Sequence, residues 1–196
     1  MVTLATERLL LRPFRRSDAA EFTRLAGDWA VASMTSDIPY PLTQSQAMAW
    51  LRPGRGEVRF AIDLEGRLIG GAGYYRRRLG AAELGFWLGR PWWARGYATE
   101  ATQAIVRYGF HARKVPGFTS SHFVDNWASA GVLRKLGFER VGNGMIISVA
   151  RGYDVEAVTY WLSAQRALQV PPPHMRVVRQ SARWRTWLGR FAGGPA

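Results

Sequence analysis

The stretch ELGFWLGRPWWARGYATE, residues 83–100, decides the fold. Its opening six residues, 83–88, read as a strand, and Gly89 ends it. Pro91-Trp92-Trp93 then leads to Ala94-Arg95-Gly96-Tyr97-Ala98-Thr99, where the longest helix of the chain starts and runs to about Arg113. Ala101, Ile105, Tyr108 and Ala112 make its apolar stripe. Glu100 in the first turn and Arg113-Lys114 in the last both suit the helix dipole, and Pro116 prevents continuation. Small residues at Ala94, Gly96 and Ala98 let a ligand approach the backbone closely. The first turn of a helix leaves about four amide N–H groups without partners. Together with the dipole they favour a phosphate, and Arg95 adds charge. The stretch is thus a strand–loop–helix unit with an anion site made of backbone.

Working outward, residues 58–63 and 68–75 read as strands joined by a Glu65-Gly66 turn. With 83–88 they form an antiparallel meander. Upstream, residues 8–12 read as a strand stopped by Pro13. Asp18 and Glu21 have the spacing of a capping box opening a helix to about Ala26, and Thr43 and Gln46 repeat it for a short helix ending before Pro53-Gly54. Residues 37–42 are a loop. Downstream come a strand at 119–124, a helix at 126–136 closed by Gly137, and strands at 138–141 and 155–162. This order predicts an α+β fold: a mixed, mostly antiparallel central sheet flanked by about four helices.

Composition narrows the chemistry. The chain has 196 residues, enough for one domain with a core, and no cysteine, which excludes disulfides, thiolate metal sites and a cysteine nucleophile. His111, His122 and His174 lack metal-ligand spacing, so no metal site is expected. The first twelve residues lack an apolar signal region and no apolar run reaches about 18 residues, which predicts a cytoplasmic protein. A net charge of +13 suits anionic partners, including a multiply charged cofactor, though a habit of using arginine explains it equally. Residues 1–166 read as the domain and 167–196 as a tail. Pro171-Pro172-Pro173 is a stiff spacer. Trp184, Trp187, Leu188 and Phe191 beyond it share one helical face among five arginines. That face suits a membrane surface, RNA or a partner, or packing on its own domain. No Walker motif exists, and Gly71-Ala72-Gly73 lacks the third glycine and the helix of a dinucleotide fingerprint.

Trp93-Ala94-Arg95-Gly96-Tyr97-Ala98 resembles the pyrophosphate loop [Q/R]-x-x-G-x-[G/A] of the GNAT acyltransferase superfamily, with Trp93 departing from its first position. Thr99-Glu100-Ala101 is similar to the branch that holds the RimJ/RimL-type ribosomal-protein N-terminal acetyltransferases. Asn126-Trp127-Ala128-Ser129, Val132-Leu133 and Lys135-Leu136-Gly137-Phe138 match that branch's N-x-x-S…V-L-x-K-L-G-F signature. Residues 82–88 resemble its fourth strand, and 38–43 its substrate-side loop; the resemblance spans about residues 5 to 163. It implies a sheet whose fourth and fifth strands splay apart, with acetyl-CoA as co-substrate. Pantetheine would pair with the backbone of Phe86, Trp87 and Leu88. Pyrophosphate would meet Ala94, Arg95, Gly96, Tyr97, Ala98 and Thr99, with Asn126 and Ser129 as further cofactor contacts. Asn126 is equally a helix N-cap.

The implied reaction is N-acetyl transfer in a ternary complex, with no acyl-enzyme. The acceptor is a protein N-terminus or a small amine, and the enzyme a monomer or homodimer. The amine must be neutral to attack. At pH 7 that costs about 1 kcal/mol for an α-amine of pKa ~7.8 and nearly 5 kcal/mol for a lysine of ~10.4. Glu83, the acid that starts the fourth strand, is the candidate base, directly or through water; an exposed strand-end carboxylate is the plainer alternative. Ser129 is the candidate hydrogen-bond donor to the departing sulfur. Tyr97 reads as core packing or a cofactor contact, and His122 as a hydrogen-bonded strand residue or one that reaches substrate. Trp29, Tyr40 and Trp50 are aromatic wall or core. The competing class is a protein that binds RNA or membrane through its tail, with a non-catalytic CoA-binding domain.

Overall fold

The computed structural model describes residues 2–76, 80–171 and 174–179. Among them nine strands form one sheet. In chain order they are β1 (Val2–Ala5), β2 (Leu10–Arg12), β3 (Glu57–Leu64), β4 (Arg67–Arg76), β5 (Ala82–Leu88), β6 (Gly117–Phe123), β7 (Glu139–Ser148), β8 (Tyr153–Ser163) and β9 (Arg176–Arg179). Their spatial order is β7-β8-β6-β5-β4-β3-β2-β1-β9. Every neighbouring pair is antiparallel except β5 and β6, which run parallel. The helices are α1 (Ala19–Ala26), α2 (Trp29–Ala32), α3 (Gln44–Trp50), α4 (Tyr97–Arg113), α5 (Trp127–Lys135) and α6 (Ala164–Gln169). Among the described residues none is long and apolar enough to cross a membrane.

Strand side chains alternate between the two faces of a sheet, and here both faces are covered. On one, Ala101, Ala104, Ile105 and Tyr108 of α4 and Leu133 of α5 pack on Leu11, Ile62, Ala72, Leu84 and Phe118. On the other, Phe22 and Leu25 of α1, Val31 of α2 and Ala47 of α3 pack on Ala61, Leu68 and Trp87. The β3–β4 turn forms as its residues require. Glu65 and Gly66 both have left-handed backbone, φ 53° and 84°, as a two-residue hairpin of this twist demands. The Asp63 carboxylate accepts the Gly66 N–H at 2.7 Å.

Several expectations need correction. Thr43 and Gln46 do form a capping box at α3, but Asp18 and Glu21 do not form one at α1. Asp18 instead accepts the backbone N–H of Arg15 at 2.6 Å and both ends of the Arg12 guanidinium, at 2.8 and 2.9 Å. A buried arginine outcompetes a helix amide for the same carboxylate, because the charge-assisted bond is stronger. The described residues add α2 and α6 to the four longer helices expected; at four and six residues they are too short to display a helical period. The expected strand at 8–12 is β2, and β1 precedes it. The expected strand at 138–141 extends to Ser148. α6 runs on past residue 166 to Gln169, and β9 pairs with the free edge of β1. The helical face at 184–191 lies outside the described residues.

Candidate active site

The site begins where β5 and β6 part. These two strands, each seven residues long, pair only at Ala82 with Phe118 and at Glu83 with Thr119. Beyond that point Ser120 Oγ donates to the Leu84 carbonyl at 2.9 Å, closing the apex with a side chain. A backbone pointing toward β6 at Leu84 points toward it again at Phe86 and Leu88, and toward β4 between them. Trp87 therefore turns its peptide groups to β4 and its indole into the core. At the end of β5, the Trp93 indole N–H donates to the Leu88 carbonyl at 2.7 Å. Phe86 is left as the residue whose backbone faces the open gap. The departure at Trp93 thus acquires a role: the indole staples the following loop to the strand end.

A cleft of about 290 Å³ opens at this gap. Glu83, Phe86, Trp87, Asn126 and Ser129 all line it. Gly71 and Gly85 also line it. A Cβ on Gly71 would come within 2.7 Å of Trp87 Nε1, whereas one on Gly85 would meet nothing within 4 Å. Glu83 is half-buried at the apex, in register with Tyr75 on β4 and Thr119 on β6. Asn126 caps α5: its side-chain oxygen accepts the Ser129 N–H at 3.1 Å, and its amide nitrogen reaches the Met34 carbonyl at 3.4 Å. His122 is buried, its Nδ1 2.8 Å from the Phe123 carbonyl and its Nε2 3.4 Å from the Tyr160 hydroxyl.

The opposite wall was mostly hidden from the sequence. Arg59 lies over the Trp50 ring, 4.1 Å from its centroid, and pairs with Glu57 at 3.0 Å. Asp37 accepts the Trp50 indole N–H at 2.9 Å. Met34 and the residues after it complete this wall. They are tied to the β7–β8 turn by Val149 N–H on the Ser36 carbonyl, 3.1 Å, and by Arg151 on the Ser33 carbonyl, 2.7 Å. Trp50 belongs to the cleft. Trp29 and Tyr40 stack edge-on at 5.0 Å, about half exposed, and do not line it.

The anion loop lies past the other end of β5, outside this cleft. Residues 93–96 are exposed. Ala94 and Gly96 take left-handed backbone, φ 60° and 80°, and Gly96 is the N-cap of α4. No side chain caps this helix. Its first backbone bond runs from Glu100 N–H to the Gly96 carbonyl, so the amides before Glu100 have no partner within the helix. An exposed, uncapped N-terminus behind a left-handed glycine fits a diphosphate. Sequence reasoning missed Arg8, which lies against this loop. Its guanidinium is 4.6 Å from the Tyr97 ring centroid, which itself packs half-buried on the core.

The model of the acetyltransferase (GNAT) domain matches residues 8–139. The chain belongs to the GNAT acetyltransferase family. An N-acetyltransferase of Bacillus licheniformis, p20, itself uncharacterized, is 30% identical over 151 residues, covering 72% of this chain and 85% of that one. Among solved structures, a GNAT-family acetyltransferase from Bacillus anthracis superposes with a TM-score of 0.74 at 23% identity, covering 83% of this chain and 99% of that one. Mycobacterium smegmatis RimJ, solved with a CoA disulfide, gives 0.74 at 19% identity, covering 88% and 90%. This GNAT chain is an N-acetyltransferase with the mixed, mostly antiparallel sheet of that fold.

Proposed function

We propose that this GNAT enzyme moves the acetyl group of acetyl-CoA to a primary amine, either a protein N-terminal α-amine or a small-molecule amine, by direct transfer with both substrates bound. The observation that carries the reading is the early end of β5–β6 pairing at Glu83, with an uncapped α4 beyond the far end of the same strand. One strand thereby spans the distance from a carboxylate to an anion site. Ala94, Arg95, Gly96, Tyr97, Ala98 and Thr99 hold the coenzyme diphosphate, and Phe86 offers backbone N–H and C=O to its pantetheine. Asn126 and Ser129 bound the same gap from α5.

The thioester supplies an activated acetyl group; the chain supplies proton management. Glu83 takes the proton of the incoming ammonium, directly or through a water, so that the nitrogen lone pair is free to attack. The Ser129 hydroxyl donates a hydrogen bond to the departing sulfur. Residues around Trp50, Asp37 and Arg59 form the acceptor wall.

The test is a screen of N-terminal peptides and small amines with acetyl-CoA, reading released thiol. The enzyme has no cysteine to react with the reagent. Amine-dependent thiol release is expected, and its absence across the panel sinks the reading. With a responding amine, Glu83→Gln should lower turnover at neutral pH by roughly a hundredfold or more and leave acetyl-CoA affinity alone. An unaltered pH–rate profile removes Glu83 from the base role.

A further inference from the structure

Arg8 sits in the turn between β1 and β2, 92 residues from its main partner, Glu100. Glu100 occupies the first turn of α4, where its charge complements the helix dipole. The same charge would repel a diphosphate bound at that helix end. Both carboxylate oxygens are engaged. Oε1 accepts the Thr6 hydroxyl at 2.6 Å and the Arg8 backbone N–H at 2.9 Å, and Oε2 accepts Arg8 Nε at 2.7 Å, with Nη2 also 2.7 Å away. The remaining arm of the fork, Nη1, donates to the Arg95 carbonyl at 3.1 Å. Because a trans peptide holds C=O and N–H on opposite sides, fixing the Arg95 oxygen toward Arg8 turns the Gly96 N–H the other way. Arg8 is in contact range of the glycine itself: a Cβ on Gly96 would lie 3.4 Å from Arg8 Nη2. The Arg8 side chain nevertheless stays 44% exposed, whereas that of Glu100 is 12% exposed. A contact serving the core alone would be buried from both sides.

We infer that Arg8 is a positioning residue of the diphosphate loop: it neutralises Glu100 beside the anion site and orients the Arg95–Gly96 peptide. This rests on the reading that the loop binds the diphosphate of acetyl-CoA. Lysine cannot replace it fully, since one ammonium does not span a carboxylate and a carbonyl as a planar fork does.

Calorimetry with acetyl-CoA alone tests it, needing no acceptor. Arg8→Ala should raise Kd about tenfold, the scale of a lost hydrogen bond to a charged group. Adding Glu100→Gln to that variant should recover affinity to within roughly threefold of wild type, because the repelling charge is gone. A merely structural arginine predicts the opposite, no recovery in the double variant, and that result overturns the inference. So does an unchanged Kd in Arg8→Ala. Should the alanine variant fail to fold, Arg8→Lys carries the test: an affinity loss of about threefold is expected, and wild-type affinity overturns the inference. Gly96→Glu, which would put a carboxylate in the phosphate position, separates the two ideas. If it binds acetyl-CoA normally, the loop reading itself is wrong. If it loses binding while Arg8→Ala does not, only the inference about Arg8 falls.

Discussion

Arg8 and Arg12 lie one short turn and strand apart, and each grips carboxylates from distant parts of the chain, yet they are built for different ends. Arg12 is buried, 4% exposed, between Asp18 and Asp63, which are buried with it. Burial alone would lower the pKa of its guanidinium. The hydrogen bonds to Asp18 and Asp63 outweigh that and hold it above its ordinary value. That cluster joins β2, β3 and the turn before α1, and its Asp63 also holds the β3–β4 turn. Arg8 faces solvent, and its partners are the carbonyl of an exposed loop residue, Arg95, and the largely covered Glu100 in the first turn of α4. The difference suggests a rule for this molecule that our proposal uses: an ion pair locked inside the sheet is architecture, and one left open beside unpaired amides is a candidate for a role in binding.

The sharpest way to break this contrast is at Arg12. Arg12→Ala leaves two buried carboxylates without their cation and should cost about 3–5 kcal/mol of stability, read by denaturant unfolding. Acetyl-CoA affinity of the folded fraction should not change. A stable Arg12→Ala protein with weakened affinity would reverse the assignment of the two arginines. Arg12→Lys keeps the charge but loses the fork to Asp18 and should fall between wild type and alanine. The smallest effect belongs to a third pair, Arg24 with Glu21, on the exposed face of α1, 2.6 Å apart with side chains 59% and 38% exposed. The hydrogen bond from Arg24 holds the Glu21 carboxyl below its usual range. A carboxyl lowered by folding adds stability above its unfolded pKa and loses it as the pH falls through the folded value. Glu21→Gln should therefore cost no more than about 0.5 kcal/mol near pH 7, and less still in acid or high salt. A loss as large as that of Arg12→Ala would refute exposure as the deciding variable.

The parts legible in the sequence are those whose chemistry is local. Residues 83–100 carry strand, break, small-residue loop and helix start in one run, so this strand–loop–helix unit could be read without knowing what surrounds it. The Thr43–Gln46 box and the Glu65-Gly66 turn were legible for the same reason. What escaped depends on residues far apart in sequence. Arg8 meets Glu100 only because the β1–β2 turn folds against α4. Arg59 meets Trp50 only because the fold brings the end of α3 against a side chain of β3. Asp18 looked like a helix cap because its spacing to Glu21 is right, and nothing local reveals that Arg12 will take it. Phe86 was one of three neighbours expected to offer backbone to pantetheine. We propose Phe86 over Trp87 and Leu88 from the pairing register and the Trp93 staple, neither of which is local.

β9 carries a practical consequence. Its residues match β1 one for one, from Val2 with Arg179 to Ala5 with Arg176. Cutting the chain ahead of Arg176 would strip β1 of this cover and leave an outermost strand with bare amides and carbonyls, an invitation to stick to other chains. That newly naked strand runs directly into Thr6 and Arg8. Shortening the C-terminus is therefore a lesion in the sheet before it is an assay of the arginine-rich end, and point changes beyond residue 179 are the cleaner instrument.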